Sequence, residues 1–265
     1  LAAALMQEII QDNLYNYPKY YDLVFGSDWA AEVAFLEAAF AKHGNGKIKR
    51  LFEPGCGTGR LMYRLAKLGY DVAGNDLAEP AVDYCNDRLE QHGFPRTAEV
   101  GDMCDFRVKR KFDVAFNMIN TFRHLPSGDH ARRHLECIAG CLKKGGLYFL
   151  GLHLTPTRGE PMDEEHWSGR RGNLTVLSRV WTVERNLRKR VERVRMSFDV
   201  YTPTRMFRLV NCADFRTYTA RQMADLISSV PQFRVVEMYD FAYNIDRPVK
   251  IDPETEDVVY VLEKT

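Results

Sequence analysis

Three glycines at alternate positions, in Glu53-Pro54-Gly55-Cys56-Gly57-Thr58-Gly59-Arg60, are the residues whose type and spacing first speak of chemistry. Alternate glycines let a backbone turn tightly and approach a ligand with no Cβ in the way. A helix opening at Arg60 adds unpaired N–H groups and a partial positive charge, which together make a seat for an anionic group. A plain strand-to-helix turn needs one or two glycines and no acid at the strand tip, so Glu53 counts against that simpler account. Two nucleotide readings fail on spacing. The dinucleotide pattern G-x-G-x-x-G would need its third glycine at Arg60 or Met62, and the phosphate loop would need Gly-Lys-Ser/Thr. Among the histidines, His130 and His134 stand four apart on an expected helix, a spacing that can bind zinc. No third ligand is evident, and a solvated helix face is the plainer expectation. His153 ends an expected strand, where it lines a cavity or is simply a loop residue.

These residues need a frame. Short apolar runs at 48–53, 71–74, 98–100, 112–117 and 147–152 alternate with helical patterns at 60–68, 80–92 and 129–142. Such alternation indicates a parallel sheet covered on both faces. Right-handed crossovers then bring the carboxyl ends of its strands, and the motifs they carry, to one rim. Gly145-Gly146 is expected to end the last of these helices. After about residue 155 the pattern changes to long antiparallel strands at 174–184, 190–201 and 205–217. In the second of these, Glu192, Val194, Met196, Phe198 and Val200 share one face, and Arg193, Arg195 and Ser197 the other. A helix at 219–229 and strands at 234–238 and 258–263 close the chain. The first 45 residues read as mostly helical: an amphipathic start with Leu5, Ile9 and Ile10 as its apolar side, then a helix capped by Asp28 and ended by Gly44-Asn45-Gly46.

With the loop and the frame in place, the chain resembles the class I S-adenosylmethionine-dependent methyltransferases, whose first motif reads E/D-x-G-x-G-x-G. The resemblance spans residues 48–154 and recurs at successive strand ends. Asn75-Asp76-Leu77 stands at the tip of the second strand, Asp76 lying 21 residues past Gly55, and Gly101-Asp102-Met103 at the tip of the third. Phe112-Asp113-Val114 opens the fourth. Leu142-Lys143-Lys144-Gly145-Gly146-Leu147 resembles the family's L-x-P-G-G turn, with Lys144 in place of proline. The resemblance implies S-adenosyl-L-methionine as cofactor, held by Glu53, Gly55, Cys56, Gly57, Gly59, Arg60, Asp76, Leu77, Asp102, Met103 and Asn117. In it, Asp76 accepts both ribose hydroxyls. Asp102 meets the adenine amino group while Met103 packs on the ring, and Asn117 lies near the methionine moiety. Each acid alone could merely cap a helix or a turn, but the motifs agree with one another.

Asn117-Met118-Ile119-Asn120-Thr121-Phe122-Arg123-His124-Leu125-Pro126 resembles the G-N-S-F-A-H-L segment of glycine N-methyltransferase-like enzymes and the G-H-L of sugar N-methyltransferases. Tyr20-Tyr21-Asp22 and Ala31-Glu32 resemble their lid segment. This likeness implies transfer of a methyl group to N or O of a small-molecule acceptor by in-line displacement. His124 and Tyr21 are its expected catalytic residues, and Asn120 and His153 are expected on the acceptor side. An amine or hydroxyl must lose a proton, and a histidine titrating near 6.5 is the natural base. No Asp/Asn-Pro-Pro-Tyr follows the fourth strand, as base methylation in nucleic acid would suggest. Asn117 and His153 stand where metal-dependent catechol-type enzymes place carboxylates, so no metal is expected. The fold implied is α/β, a Rossmann-like doubly wound, mostly parallel seven-stranded sheet with an antiparallel β insertion after the fifth strand. Its parts are an N-terminal helical lid (1–45), the methyltransferase core (46–155 and 219–265) and the insertion (156–218).

Bulk properties restrict the partners. A net charge of +1 gives no global field toward nucleic acid or membrane, and a 45% hydrophobic fraction suffices for a sizeable core. No run approaches the ~18 apolar residues of a membrane span, and the opening residues do not read as a secretory signal. Six cysteines without a CxxC are expected as buried reduced thiols, which suits a cytoplasmic setting. Residues 158–221 hold 14 Arg/Lys against 8 Asp/Glu, a balance of +6. A basic cover would suit an acidic or phosphorylated acceptor. The competing account is arginines alternating on the solvent face of a sheet. Such inserts also form dimer contacts, so a homodimer through the insertion is a further expectation. The alternatives are a cofactor-binding scaffold without turnover, an RNA methyltransferase using the basic insertion, though no recognised binding motif accompanies it, and a nucleotide-cofactor oxidoreductase.

Overall fold

The computed structural model describes residues 8–27 and 29–265, so the expected opening helix over residues 1–6 and the cap at Asp28 lie outside the described residues. The chain begins with β1 (Glu8–Gln11), α1 (Pro18–Phe25), α2 (Ala30–His43), β2 (Arg50–Pro54), α3 (Arg60–Lys67), β3 (Asp71–Asp76) and α4 (Glu79–Gln91). It continues through β4 (Ala98–Val100), β5 (Phe112–Asn117), α5 (Gly128–Cys141), β6 (Leu142–His153) and β7 (Glu164–Arg171). The remainder is β8 (Leu174–Asn186), β9 (Val191–Tyr201), β10 (Met206–Arg216), α6 (Ala220–Ser228), β11 (Phe233–Tyr239) and β12 (Asp257–Lys264).

Seven strands form one sheet in the order β11-β12-β6-β5-β2-β3-β4. β2 to β6 are parallel, and β12 runs antiparallel to both β6 and β11. The winding reverses between β2 and β5, and a crevice opens at the carboxyl ends of strands at such a switch point. β6 shows why the sheet must be covered twice. Leu147 and Phe149 join a core with Phe35, Leu36 and Phe40 of α2 and Leu61 and Leu65 of α3. The alternate residues Tyr148, Leu150 and Leu152 join another with Leu135 and Ile138 of α5 and Met223 and Ile227 of α6. The expected fold class is the one found.

The other sheet has the order β1-β10-β9-β8-β7, antiparallel except that β1 pairs parallel with β10. Two of its strands go beyond the sequence reading. β7 adds an edge, and Gly169 lets it close on α1, where a Cβ would run into Leu23. Ile9 and Ile10, expected on a helix, instead pair with Arg208 and Leu209. Two adjacent β-branched residues suit an edge whose backbone groups need partners, so the pairing overrides the weak helical pattern. Ile10 packs inward and Ile9 is exposed, the two-residue alternation of a strand. Gly145-Gly146 also differs from expectation. The helix ends at Cys141, and the two glycines lie inside β6, where Gly145 takes φ +74°.

All six cysteines are free. Cys212 is exposed and Cys137 half-buried, against the expectation that every thiol is buried. Among the described residues no helix is long and apolar enough to cross a membrane.

Candidate active site

The glycine loop between β2 and α3 takes left-handed conformations at Gly55 (φ +64°), Gly57 (φ +51°) and Gly59 (φ +66°), which side chains disfavour. A Cβ at Gly55 would run into Thr121 and one at Gly59 into Cys85, whereas at Gly57 it would meet nothing within 4 Å. The loop is therefore packed from behind and open at its middle. Gly59 precedes α3 without any side-chain cap, and the Glu53 carboxyl takes a backbone hydrogen bond from Met62 in the first turn of that helix.

Asp76 does more than the sequence suggests. Gly57 N–H donates to its Oδ2 at 2.8 Å and Ala78 N–H to its Oδ1 at 2.9 Å, so it braces the loop from the tip of β3. Burial raises its pKa against the pull of those bonds. Leu77 N–H also acts on it, and a carboxylate with about four acceptor positions still has room for a ligand. Leu77 beside it is 72% exposed, an apolar side chain presented at the rim. Glu53 and Asn117 sit at the ends of adjacent strands β2 and β5. Burial lifts the Glu53 carboxyl well above its ordinary range, Arg60 opposing. Asn117 Nδ2 donates to Pro54 O at 2.7 Å, while Asn117 Oδ1 and Glu53 Oε2 are buried and lack any protein partner. Two orphaned acceptors beside an open glycine loop suit a ligand bearing an ammonium next to an anion, the chemistry of an amino acid.

Other expected cofactor residues are engaged elsewhere. Arg60 is clasped by buried Glu32 of α2, with Nη2–Oε1 at 2.9 Å, and Tyr243 also donates to Glu32 at 3.1 Å. Cys56 gives its backbone N–H to Asn75 O at 2.9 Å. Asp102 Oδ1 accepts from Cys104 N at 2.8 Å, the turn-capping role foreseen as its plainer use. Met103 is buried in the core.

The N-terminal segment closes over this loop. Asp22 of α1, 4% exposed, accepts from Thr58 Oγ1 at 3.1 Å and Tyr84 OH at 3.3 Å and pairs with Arg88. Tyr21 packs between Tyr15 and Phe25, at ring-centroid distances of 5.2 and 4.8 Å. Burial pushes its phenol up, with Arg60 opposing and Asp76 adding to the shift. Tyr15, which the sequence reading missed, meets His124 with OH to Nε2 at 2.9 Å. Four tyrosines between residues 15 and 21 were the only signal for it. Burial, with Arg123 beside it, brings the His124 pKa down to about 4, so the expectation of a base near 6.5 is corrected: the imidazole is neutral and a poor proton acceptor at neutral pH. Arg123 itself forms a buried ion pair with Glu192 of β9 and donates from Nε to Arg216 O at 3.2 Å, fastening the turn that carries His124 to the second sheet.

On the acceptor side, Asn120 takes φ +56° and its Oδ1 accepts from His153 N at 2.8 Å, so its carbonyl braces the turn. His153 Nδ1 lies 2.6 Å from Asp257 Oδ1. Glu165 and Glu256 are close to this pair, and burial raises both of their carboxyls. This rim is acidic. The arginines of the insertion pair with carboxylates across its strands: Arg179 with Glu164 at 2.5 Å, Arg193 with Asp214 at 2.8 Å and Arg208 with Asp199 at 2.5 Å. His134 does not lie on a solvated face as expected. It is fully buried, while His130 bonds Ser127 Oγ at 2.7 Å. Among the described residues no group of three or more His, Cys, Asp or Glu side chains could hold a metal. An open cavity of about 480 Å³ lies apart from this crevice, bounded by Phe106, Lys111, Arg133 and Cys137.

Residues 52–146 match the family described as a methyltransferase domain. A dTDP-3-amino-3,4,6-trideoxy-alpha-D-glucopyranose N,N-dimethyltransferase from Streptomyces venezuelae is 29% identical over 130 residues, 48% of this chain and 53% of that protein. The chain spans about half the length of the curated relatives it matches. An S-adenosylmethionine-dependent methyltransferase from Clostridium acetobutylicum has the same fold at TM-score 0.77 and 16% identity, with 95% of this chain and 99% of that one covered. CalS10, an amino pentose methyltransferase from Micromonospora echinaspora solved with S-adenosylmethionine bound, gives 0.72 at 19% identity, covering 96% and 99%. Residues 52–146 thus match a methyltransferase domain, and the chain shares the fold of solved S-adenosylmethionine-dependent methyltransferases.

Proposed function

We propose that this protein methylates the amine nitrogen of a small molecule, with an amino sugar as the acceptor class. The observation that carries this reading is the meeting, in one crevice, of an open glycine loop with two orphaned acceptors and a tyrosine–histidine pair under a closed N-terminal segment. The names of the matched dimethyltransferase and of CalS10 support an amino sugar. The acidic rim at Asp257, Glu165 and Glu256 suits a cationic amine better than the acidic acceptor that the basic insertion suggested.

When bound, S-adenosylmethionine supplies a methyl group already activated by a sulfonium. The glycine loop would hold its carboxylate, Glu53 and Asn117 its ammonium, and Asp76 its ribose, while Leu77 and Asp102 would receive the base. The remaining work is positioning. Tyr15 and His124 orient the acceptor so that its nitrogen lies in line at about 3–3.5 Å. Tyr21 and Phe25 exclude water. Neutral His124 accepts a hydrogen bond without keeping the proton, which passes to solvent at the acidic rim. Release of S-adenosylhomocysteine from a panel of amino sugars, hydroxyl sugars and small RNAs tests this reading. Turnover confined to hydroxyl acceptors or RNA would overturn it.

A further inference from the structure

His134 of α5 is a buried imidazole in an otherwise apolar core, and the methyl-transfer reading gives it no task. Its Nδ1 lies 3.0 Å from Met103 O and its Nε2 lies 2.8 Å from Tyr148 OH of β6. A carbonyl can only accept, so Nδ1 carries the hydrogen; Nε2 then presents a lone pair, and the Tyr148 hydroxyl must donate to it. The chain of bonds runs one way, from Tyr148 through His134 to the backbone of Met103, with no polar group along it unmet. A neutral ring is what this direction requires, and burial, which lowers the His134 pKa to about 4, keeps it neutral.

The carbonyl at the end of this chain belongs to the segment that receives the cofactor's base. Asp102, one residue earlier, accepts from Cys104 N, and Asn75 Nδ2 donates to the Asp102 carbonyl at 3.4 Å. Cys104 Sγ in turn donates to His130 O, and Cys137 Sγ to Cys104 O, both at 3.3 Å. The segment after β4 therefore hangs from α5, and His134 supplies the fully buried support directly beneath Met103. The same ring meets Phe122, two residues before His124, edge-on at 5.4 Å. A leucine would fill this space without desolvating two ring nitrogens. It would also leave the Met103 carbonyl without its donor.

We propose that His134 and Tyr148 are positioning residues that set the Asp102–Met103 segment for recognition of the adenine amino group. The inference rests on the cofactor placement given above. The test is calorimetry with S-adenosylhomocysteine and with S-inosylhomocysteine, whose base carries a carbonyl in place of that amino group. The wild-type protein is expected to prefer the adenosyl ligand about tenfold. His134→Leu should abolish most of that preference, with the loss falling on KM for the cofactor and not on kcat. Tyr148→Phe should reduce it about threefold, and His134→Gln, which still carries an N–H for Met103, should recover most of it. Equal weakening of both ligands, or an unchanged preference in His134→Leu and Tyr148→Phe, would overturn the inference while leaving the proposed function standing. Failure of the wild-type protein to bind either ligand would remove both.

Discussion

The proposed cofactor half and the proposed acceptor half of the crevice are built in different ways. The cofactor half rests on backbone: left-handed glycines, and a strand-tip carboxylate, Asp76, that bonds to the loop itself. Its parts lie between residues 53 and 117. The acceptor half rests on side chains brought together from distant segments. Tyr15 and His124 are 109 residues apart, His153 and Asp257 104, and Arg123 and Glu192 69. Backbone geometry leaves little freedom in residue type, because only glycine takes those turns without strain. A side-chain pocket can be lined in many ways. One half can therefore stay fixed to its cofactor while the other is free to vary with its acceptor.

The largest effect is expected where the two halves are joined. Arg123→Leu removes one partner of buried Glu192 and leaves it Arg185 and Thr182, so it should destabilise the protein by about 1–3 kcal/mol in a denaturant titration. Adding Glu192→Leu to Arg123→Met should cost further stability, because Arg185 and Thr182 then lose a partner as well; a double variant as stable as the wild type would mean that Arg123 and Glu192 act as an isolated pair. Asp76→Ala comes next. It removes the expected ribose acceptor and the brace on Gly57, and should weaken S-adenosylhomocysteine binding at least about tenfold with the fold retained. Unchanged affinity by calorimetry would move the sugar elsewhere. Tyr15→Phe should lower kcat/KM for the acceptor by about three- to tenfold and leave cofactor affinity alone, which separates the halves directly. A parallel loss of cofactor binding would show that they are not separable.

The smallest change is expected in the pH profile. His124 is held near 4, so kcat/KM for the acceptor should show no limb near 6.5. A limb there that disappears in His124→Asn would restore the histidine as a base. Stability responds in that window even so. His124 and His134 have folded pKa values near 4, below the ordinary 6.5, so the unfolded chain binds more protons between those values. Stability should therefore fall as pH drops from 6.5 toward 4 and level off below.

The same contrast explains what could be read from the sequence. The order of strands and helices, the glycine loop and the strand-tip acids were legible because each is a local pattern with a fixed geometric requirement. His134 was misread, because spacing on a helix cannot say which face is covered, and the α5 surface bearing His134 packs beneath Met103. Ile9 and Ile10 were misread because two residues carry no period, and only the open edge of β10 decides their state. The basic balance of the insertion suggested an acidic ligand, yet its carboxylate partners sit on neighbouring strands, where composition alone cannot pair them. Tyr15 could be found only by knowing what lies across from it.

Asp22 ties the covering helix to the turn it covers, since Thr58 belongs to the glycine loop and Arg88 to the helix behind it. Swinging α1 away would mean pulling a desolvated carboxylate off a guanidinium and off the loop proposed to hold the cofactor. On the proposed function, exchange of the spent nucleoside would have to break that contact, and its release is expected to be slower than the displacement. A burst of one equivalent of product would be the kinetic trace of that order.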